Sequence, residues 1–326
     1  MEQLINKKFK YTVVGALAAA IVVLFCSLFL LSSCKSDNGT APNRWPDLPV
    51  KSDLYYFSVS NIQRLNLANG TITSIGGEGD KPDQNRAVDV SRDGSEIVFV
   101  YYGSSSEGTV REIRILNNGG ERIATIPVNG QYNRIKVSPD KSKFACKRMT
   151  EDVIDIVERN GNVLGNYSGV NSAAWTPDGK LVLTSGEGEI FVSSADLTSG
   201  SVIAKLGSAV LEPDVSPDGQ KIAFYRAGNV WAINIDGSAL SQLTESSLEC
   251  FMPCWSKDSK YLAVLWGMSQ EQNHLSAPDV YLIPAKEGKI EVSENSSKAV
   301  LLYEKFPDSN GSDYVGLGSN SQPMLR

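Results

Sequence analysis

Few residues in this chain could do chemistry, and their types narrow the choice. The whole sequence holds one histidine, His274, which excludes a multi-histidine metal site. No Gly-x-Ser-x-Gly elbow occurs, so no strained strand-to-helix turn presents a serine nucleophile. Carboxylates are more plentiful. Asp93, Asp140, Asp178, Asp218 and Asp258 each stand two residues after a serine or threonine. A carboxylate so placed can act as an acid, bind calcium, or accept hydrogen bonds within a turn. Separations of 47, 38, 40 and 40 residues within one recurring motif favour the turn role. Spread at that spacing, the five cannot converge on one substrate.

A second carboxylate set lies just upstream. Two residues before each turn hydroxyl stand Asp89, Lys136, Ala174, Asp214 and Cys254. Mixed charges there suit the wall of a hydrated channel, or a polar ligand in its mouth. Asp89 and Asp214 are also the residues that an enzyme acting on a polysaccharide or lactone would use. Past Cys34, the cysteines are Cys146, Cys250 and Cys254. Cys250 and Cys254 are four apart, and an oxidising compartment admits a disulfide between them. His274 falls in a stretch that reads as a loop, either solvated or touching a ligand. No cofactor or metal is implied.

The elements that must position these residues repeat. Ser91-Arg92-Asp93-Gly94 precedes Ile97-Val98-Phe99, and Ser216-Pro217-Asp218-Gly219 precedes Ile222-Ala223-Phe224. Turns at Ser138, Thr176 and Ser256 follow the same plan. Proline presets φ at the second turn position and glycine accepts a left-handed fourth, so two strands pair as a tight hairpin. A third strand is clear at 112–116, 229–235 and 279–283, and a polar turn with a fourth strand follows. Four strands per roughly 40 residues make a propeller blade. The stretch from Pro213 to Thr244, with Asn229-Val230-Trp231-Ala232-Ile233-Asn234 and Asp236-Gly237, resembles the TolB-like, WD-related propeller repeat.

That resemblance implies an all-β fold: a six-bladed β-propeller of four-stranded antiparallel blades. Strands at 54–57, 62–65 and 71–75 supply only three of blade one's four. The C-terminal segment, Gln322-Pro323-Met324-Leu325, is expected to add the innermost one, because an open ring would leave strand edges unpaired. Arg92 and Lys257 replace the turn proline, and Lys141 and Ser259 the glycine, which bears on how tight those turns are. The connections 76–85, 103–109 and 267–278 are the longest and should crowd one face. Tyr101, Tyr102 and Trp266 at their edges could stack on a sugar or anchor a partner.

The N-terminus gives an address. Lys7, Lys8 and Lys10 precede an apolar stretch from Thr12 to Leu31, followed by Ser32-Ser33-Cys34 and then Lys35-Ser36-Asp37-Asn38. A positive segment, an apolar run and small residues mark a secretory signal. The end of that run resembles a bacterial lipobox, which implies cleavage before Cys34 and lipidation of it. An uncleaved anchor is the alternative, since roughly 20 apolar residues span a bilayer. Either way the body lies outside the cytoplasm, because the lysines stay inside. Lys35 resembles the outer-membrane sorting signal of enterobacterial lipoproteins; the periplasmic and surface faces both stay open.

The organisation read here is a signal over 1–33, a lipidated Cys34 with a proline-rich tether over 34–50, and a propeller over 51–326. Net charge is −6 without a basic run, so a nucleic-acid partner is excluded. The expected role is a non-catalytic propeller of the bacterial cell envelope, membrane-bound through its lipid, that binds a protein or an envelope polymer. A glycan-binding protein of an uptake system is the first alternative, and a carboxylate-dependent enzyme the second.

Overall fold

The computed structural model describes residues 48–58, 61–76, 87–106, 108–268, 278–286, 288–293, 296–305, 314–316 and 323–326. Alternation of side chains along each strand explains their composition. Runs such as Ile97-Val98-Phe99 are buried throughout, because each blade has a neighbour on both faces. Val98 turns toward the next blade's core while Ile97 and Phe99 turn toward the previous one.

Among the described residues, six four-stranded antiparallel sheets form the blades of a ring. From the axis outward, blade one is Met324–Leu325, Asp53–Ser58, Asn61–Asn66 and Thr71–Ile75. Blade two is Val88–Val90, Glu96–Ser105, Gly108–Asn117 and Arg122–Pro127. The inner strands of blades three to six are Tyr132–Val137, Ser172–Trp175, Leu211–Val215 and Glu249–Trp255. Each is followed in order by the other three strands of its blade. A separate two-stranded piece pairs Tyr303–Lys305 with Tyr314–Gly316.

Six apolar clusters fill the spaces between blades, one for each adjacent pair. The C-terminal strand closes the circle. Leu54 pairs with Leu325 and Tyr55 with Met324. Arg326 exchanges two backbone hydrogen bonds with Asp53, at 2.9 and 3.0 Å. Leu325 packs into the cluster shared by blades six and one, and Met324 into that shared by blades one and two.

The hairpin turns are alike despite their substitutions. In all five, the hydroxyl donates to the aspartate over 2.5–2.6 Å. The same hydroxyl accepts a backbone N–H at 2.9 Å from the start of the second strand. Lys141 and Ser259 adopt the left-handed φ, 61° and 60°, that Gly94, Gly179 and Gly219 hold elsewhere. Both turns keep the closing bond of 2.9 Å from the fourth N–H to the first carbonyl. Each replacement also reaches the preceding blade. The Lys141 ammonium donates to Asp93 at 2.8 Å, and Ser259 Oγ accepts the Asp218 N–H at 3.2 Å. The glycine is lost where a side chain ties two blades together.

Two outcomes follow. Truncating Leu325 to alanine should cost about 2–5 kcal/mol, read as a lower thermal midpoint by circular dichroism. An unchanged midpoint in a chain lacking residues 323–326 would contradict closure. The Ser138 and Ser142 hydrogen bonds hold the Asp140 carboxyl down at about 2. An aspartate in the unfolded chain titrates near about 3.9, so this stabilisation is complete above that pH and disappears as pH falls toward 2. Asp140→Asn should flatten the stability profile in that window and leave it unchanged in shape near pH 7.

Candidate functional site

The inner strands and their turns enclose an axial cavity of about 330 Å³, open on the face that carries the inner hairpin turns. Arg92, Lys136, Lys257 and Arg326 line it, with Asp89 and Asp214. The cations come from blades two, three, six and one, four neighbours around the ring. Trp175, Pro177, Val215 and Pro217 of blades four and five form the other wall. Further along the axis, Arg134 of blade three bridges to Glu212 of blade five at 2.8 Å.

Each carboxylate here has a structural bond. Asp89 Oδ2 accepts the Val137 N–H of blade three at 2.9 Å. Asp214 Oδ2 accepts the Trp255 N–H of blade six at 2.8 Å. The two stand at the same repeat position and receive the same repeat N–H, so one sequence signal makes one inter-blade stitch twice. Trp175 Nε1 donates to the Lys136 carbonyl at 2.9 Å and Trp255 Nε1 to that of Asp214 at 3.1 Å. The other Asp89 oxygen lies 3.5 Å from Lys136 Nζ and 3.7 Å from Arg326 Nη2.

Arg92 works differently. It occupies the turn-proline position, and its guanidinium crosses the axis to the Trp175 carbonyl at 2.7 Å and the Val215 carbonyl at 3.4 Å. Burial pulls its pKa below the ordinary arginine value. Burial also opposes the charge of Arg326, but Cys254, Asp89 and Asp214 around it leave its pKa raised. Arg326 Nε donates to the Val90 carbonyl at 2.9 Å, joining blade one to blade two.

The residues singled out from the sequence do not gather at one place. Asp89 and Asp214 share the cavity. The five turn aspartates bond within their own turns around the rim. Tyr101 lies on one side of blade two beneath the Arg114 guanidinium, 3.4 Å from the ring centroid. Tyr102 lies on the other side, its hydroxyl donating to the Tyr132 carbonyl at 2.7 Å and accepting the Tyr132 N–H. Trp266 meets Tyr281 edge-on at 5.6 Å. All three rings are half-buried against the body. Cys34 and His274 lie outside the described residues, as do most of the connections 76–85 and 267–278.

Two expectations need correction. Cys250 and Cys254 are separate buried thiols. A bulge between Phe251 and Cys254, with Met252 at φ 51°, turns them into different clusters, one between blades five and six and one between six and one. Burial pushes their thiols up to about 11 and about 12. The segment 103–109 is a hairpin rather than a loop: Ser104 pairs with Thr109 and Ser105 with Gly108. Arg92, Lys257 and Arg326 are cavity residues that the turn motif does not single out; for Arg92 and Lys257 the replaced proline is the available signal.

These features define a closed six-bladed propeller with a charged axial cavity. It has the TolB-like propeller fold. No family model matches the chain. A protein assigned as TolB from Agrobacterium tumefaciens is 16% identical with a TM-score of 0.55, over 74% of this chain and 88% of that one. TolB from Acinetobacter baumannii is 18% identical with a TM-score of 0.53, over 76% and 67%. A protein assigned as a 6-phosphogluconolactonase, from Bacteroides uniformis, is 13% identical with a TM-score of 0.50, over 84% and 97%. At these identities the likeness is one of fold.

The Asp214 stitch is testable. Asp214→Ala should cost about 1–3 kcal/mol, because the buried Trp255 N–H loses its acceptor. A denaturant midpoint equal to that of the parent would show that the bond is immaterial.

Proposed function

We propose that this chain is a lipid-anchored, extracytoplasmic propeller of the cell envelope that binds another protein and catalyses nothing. The observation that carries this reading is the length of the second hairpin in blade two. Glu96–Ser105 and Gly108–Asn117 run ten residues each, while hydrogen bonding from the inner side reaches only to Val100 and from the outer side only to Arg111. The remaining ribbon, with Ser104, Ser105, Gly108 and Thr109 exposed, projects from the face opposite the turn motifs. An extended segment of a partner can pack beside such a projecting ribbon. A site on a projection from a rigid ring suits recognition.

The carboxylates speak against chemistry. Both Asp89 oxygens are engaged by neighbouring groups, and Asp214 is committed to Trp255. A polysaccharide- or lactone-acting site would need a free acid and base pair, which this arrangement uses in assembly instead. Among the described residues, no helix is long and apolar enough to cross a membrane. Attachment in this reading comes from acyl chains on Cys34, and two or more suffice for stable anchoring.

The test uses the full chain in crosslinked envelopes. Replacing residues 104–109 by Asn-Gly should abolish capture of the species that the parent captures, with no change in thermal midpoint. Cys34→Ser should move the protein out of the membrane fraction. Undiminished capture by the shortened ribbon would overturn the partner reading, and a membrane-bound Cys34→Ser chain the anchoring.

A further inference from the structure

The axial cavity holds more positive charge than its carboxylates answer. Asp89 faces both Lys136 and Arg326. Asp214 gives one oxygen to a backbone N–H. Neither Arg92 nor Lys257 forms an ion pair with any described residue; Arg92 is half-buried, donating to two backbone carbonyls, and Lys257 is exposed at the mouth. Four cationic side chains therefore meet two side-chain carboxylates in one recess. A cation partly withdrawn from water, as Arg92 is, gains when an anion joins it, and an exposed lysine at the mouth adds to the same field.

The origin of those charges is a second, independent observation. Blades three, four and five keep proline at the second turn position, as Pro139, Pro177 and Pro217. Only the turns of blades two and six replace it, both with cations, and both cations line the cavity. Backbone geometry does not require the change, because Gly94 and Ser259 still close their turns at 2.8 and 2.9 Å. What the replacement alters is the charge at the channel mouth.

We infer that the cavity is a binding site for a small organic dianion. About 330 Å³ lies at the small end of ligand pockets, too little for a folded partner. Lys257, Arg326 and Lys136 on the arc of blades six, one and three, with the Arg92 guanidinium reaching across the axis from blade two, would take the two negative charges by charge-assisted hydrogen bonds. The carbon skeleton would lie against Trp175, Pro177 and Pro217 opposite. The site stands on the face opposite the ribbon of blade two and does not depend on the partner reading.

The experiment is calorimetric titration of the full chain in detergent with succinate, glycerol 3-phosphate, inorganic phosphate and acetate at one ionic strength. Succinate or glycerol 3-phosphate should bind saturably, and acetate should bind at least about tenfold more weakly. The stronger of the two dianions tells whether carboxylates or a phosphate monoester fit. Inorganic phosphate binding as well as both would mean an adventitious ion only. Lys257→Pro restores the residue of the neighbouring repeats and should weaken the dianion about tenfold; Lys257→Gln serves if that chain does not fold. Lys205→Gln, on an outer strand, should change nothing. Absence of saturable binding, or equal affinity in the Lys257 variants, overturns the proposal.

Discussion

An open ring of sheets leaves a strand edge and two apolar blade faces uncovered, and that constraint governs this molecule. Every blade but one is continuous in sequence, so the whole circle depends on two residues from the far end pairing with the first strand. Leu325 and Met324 enter different inter-blade cores, which makes one short strand the shared wall of two interfaces. Loss of it would expose the inner edge of Asp53–Ser58 and unseal apolar surface on both sides. Arg326 extends the same join to blade two through the Val90 carbonyl.

Around the axis, closure is reinforced by polar bonds between neighbouring blades. The Asp89 and Asp214 stitches, the two indole N–H donors and the Lys141–Asp93 pair all use positions fixed by the repeat. A polar group buried near an axis must find a partner, and here the partner is the neighbouring backbone. Arg92 departs from this rule by crossing to blades four and five. Carboxylates and cations thus share the work of assembly, and four of the cations also line the cavity.

Much of this architecture was legible in the chain itself. A hydroxyl, an aspartate two residues later and an apolar run located five hairpins, because turn chemistry is local. Three leftover strands at the start and an apolar pair at the end announced the closure. Faces and reach were not legible. Cys250 and Cys254 share a parity in the sequence, and only the bulge at Met252 separates them. The small polar residues from Gly103 to Thr109 read as a loop, since cross-strand pairing carries no local signature. Arg92 and Lys257 registered as imperfect turn residues, because side-chain direction around a ring depends on five other blades.

Hydrogen exchange on the C-terminal peptide tests the central claim most directly. The Arg326 amide donates to the Asp53 carbonyl at 2.9 Å, and that of Leu325 to the Cys254 sulfur at 3.2 Å. Protection of both amides to the level of the Leu65 strand in mid-blade is the predicted result, because opening the join would require opening the ring. Exchange at the rate of a free tail, with mid-blade strands still protected, would contradict it.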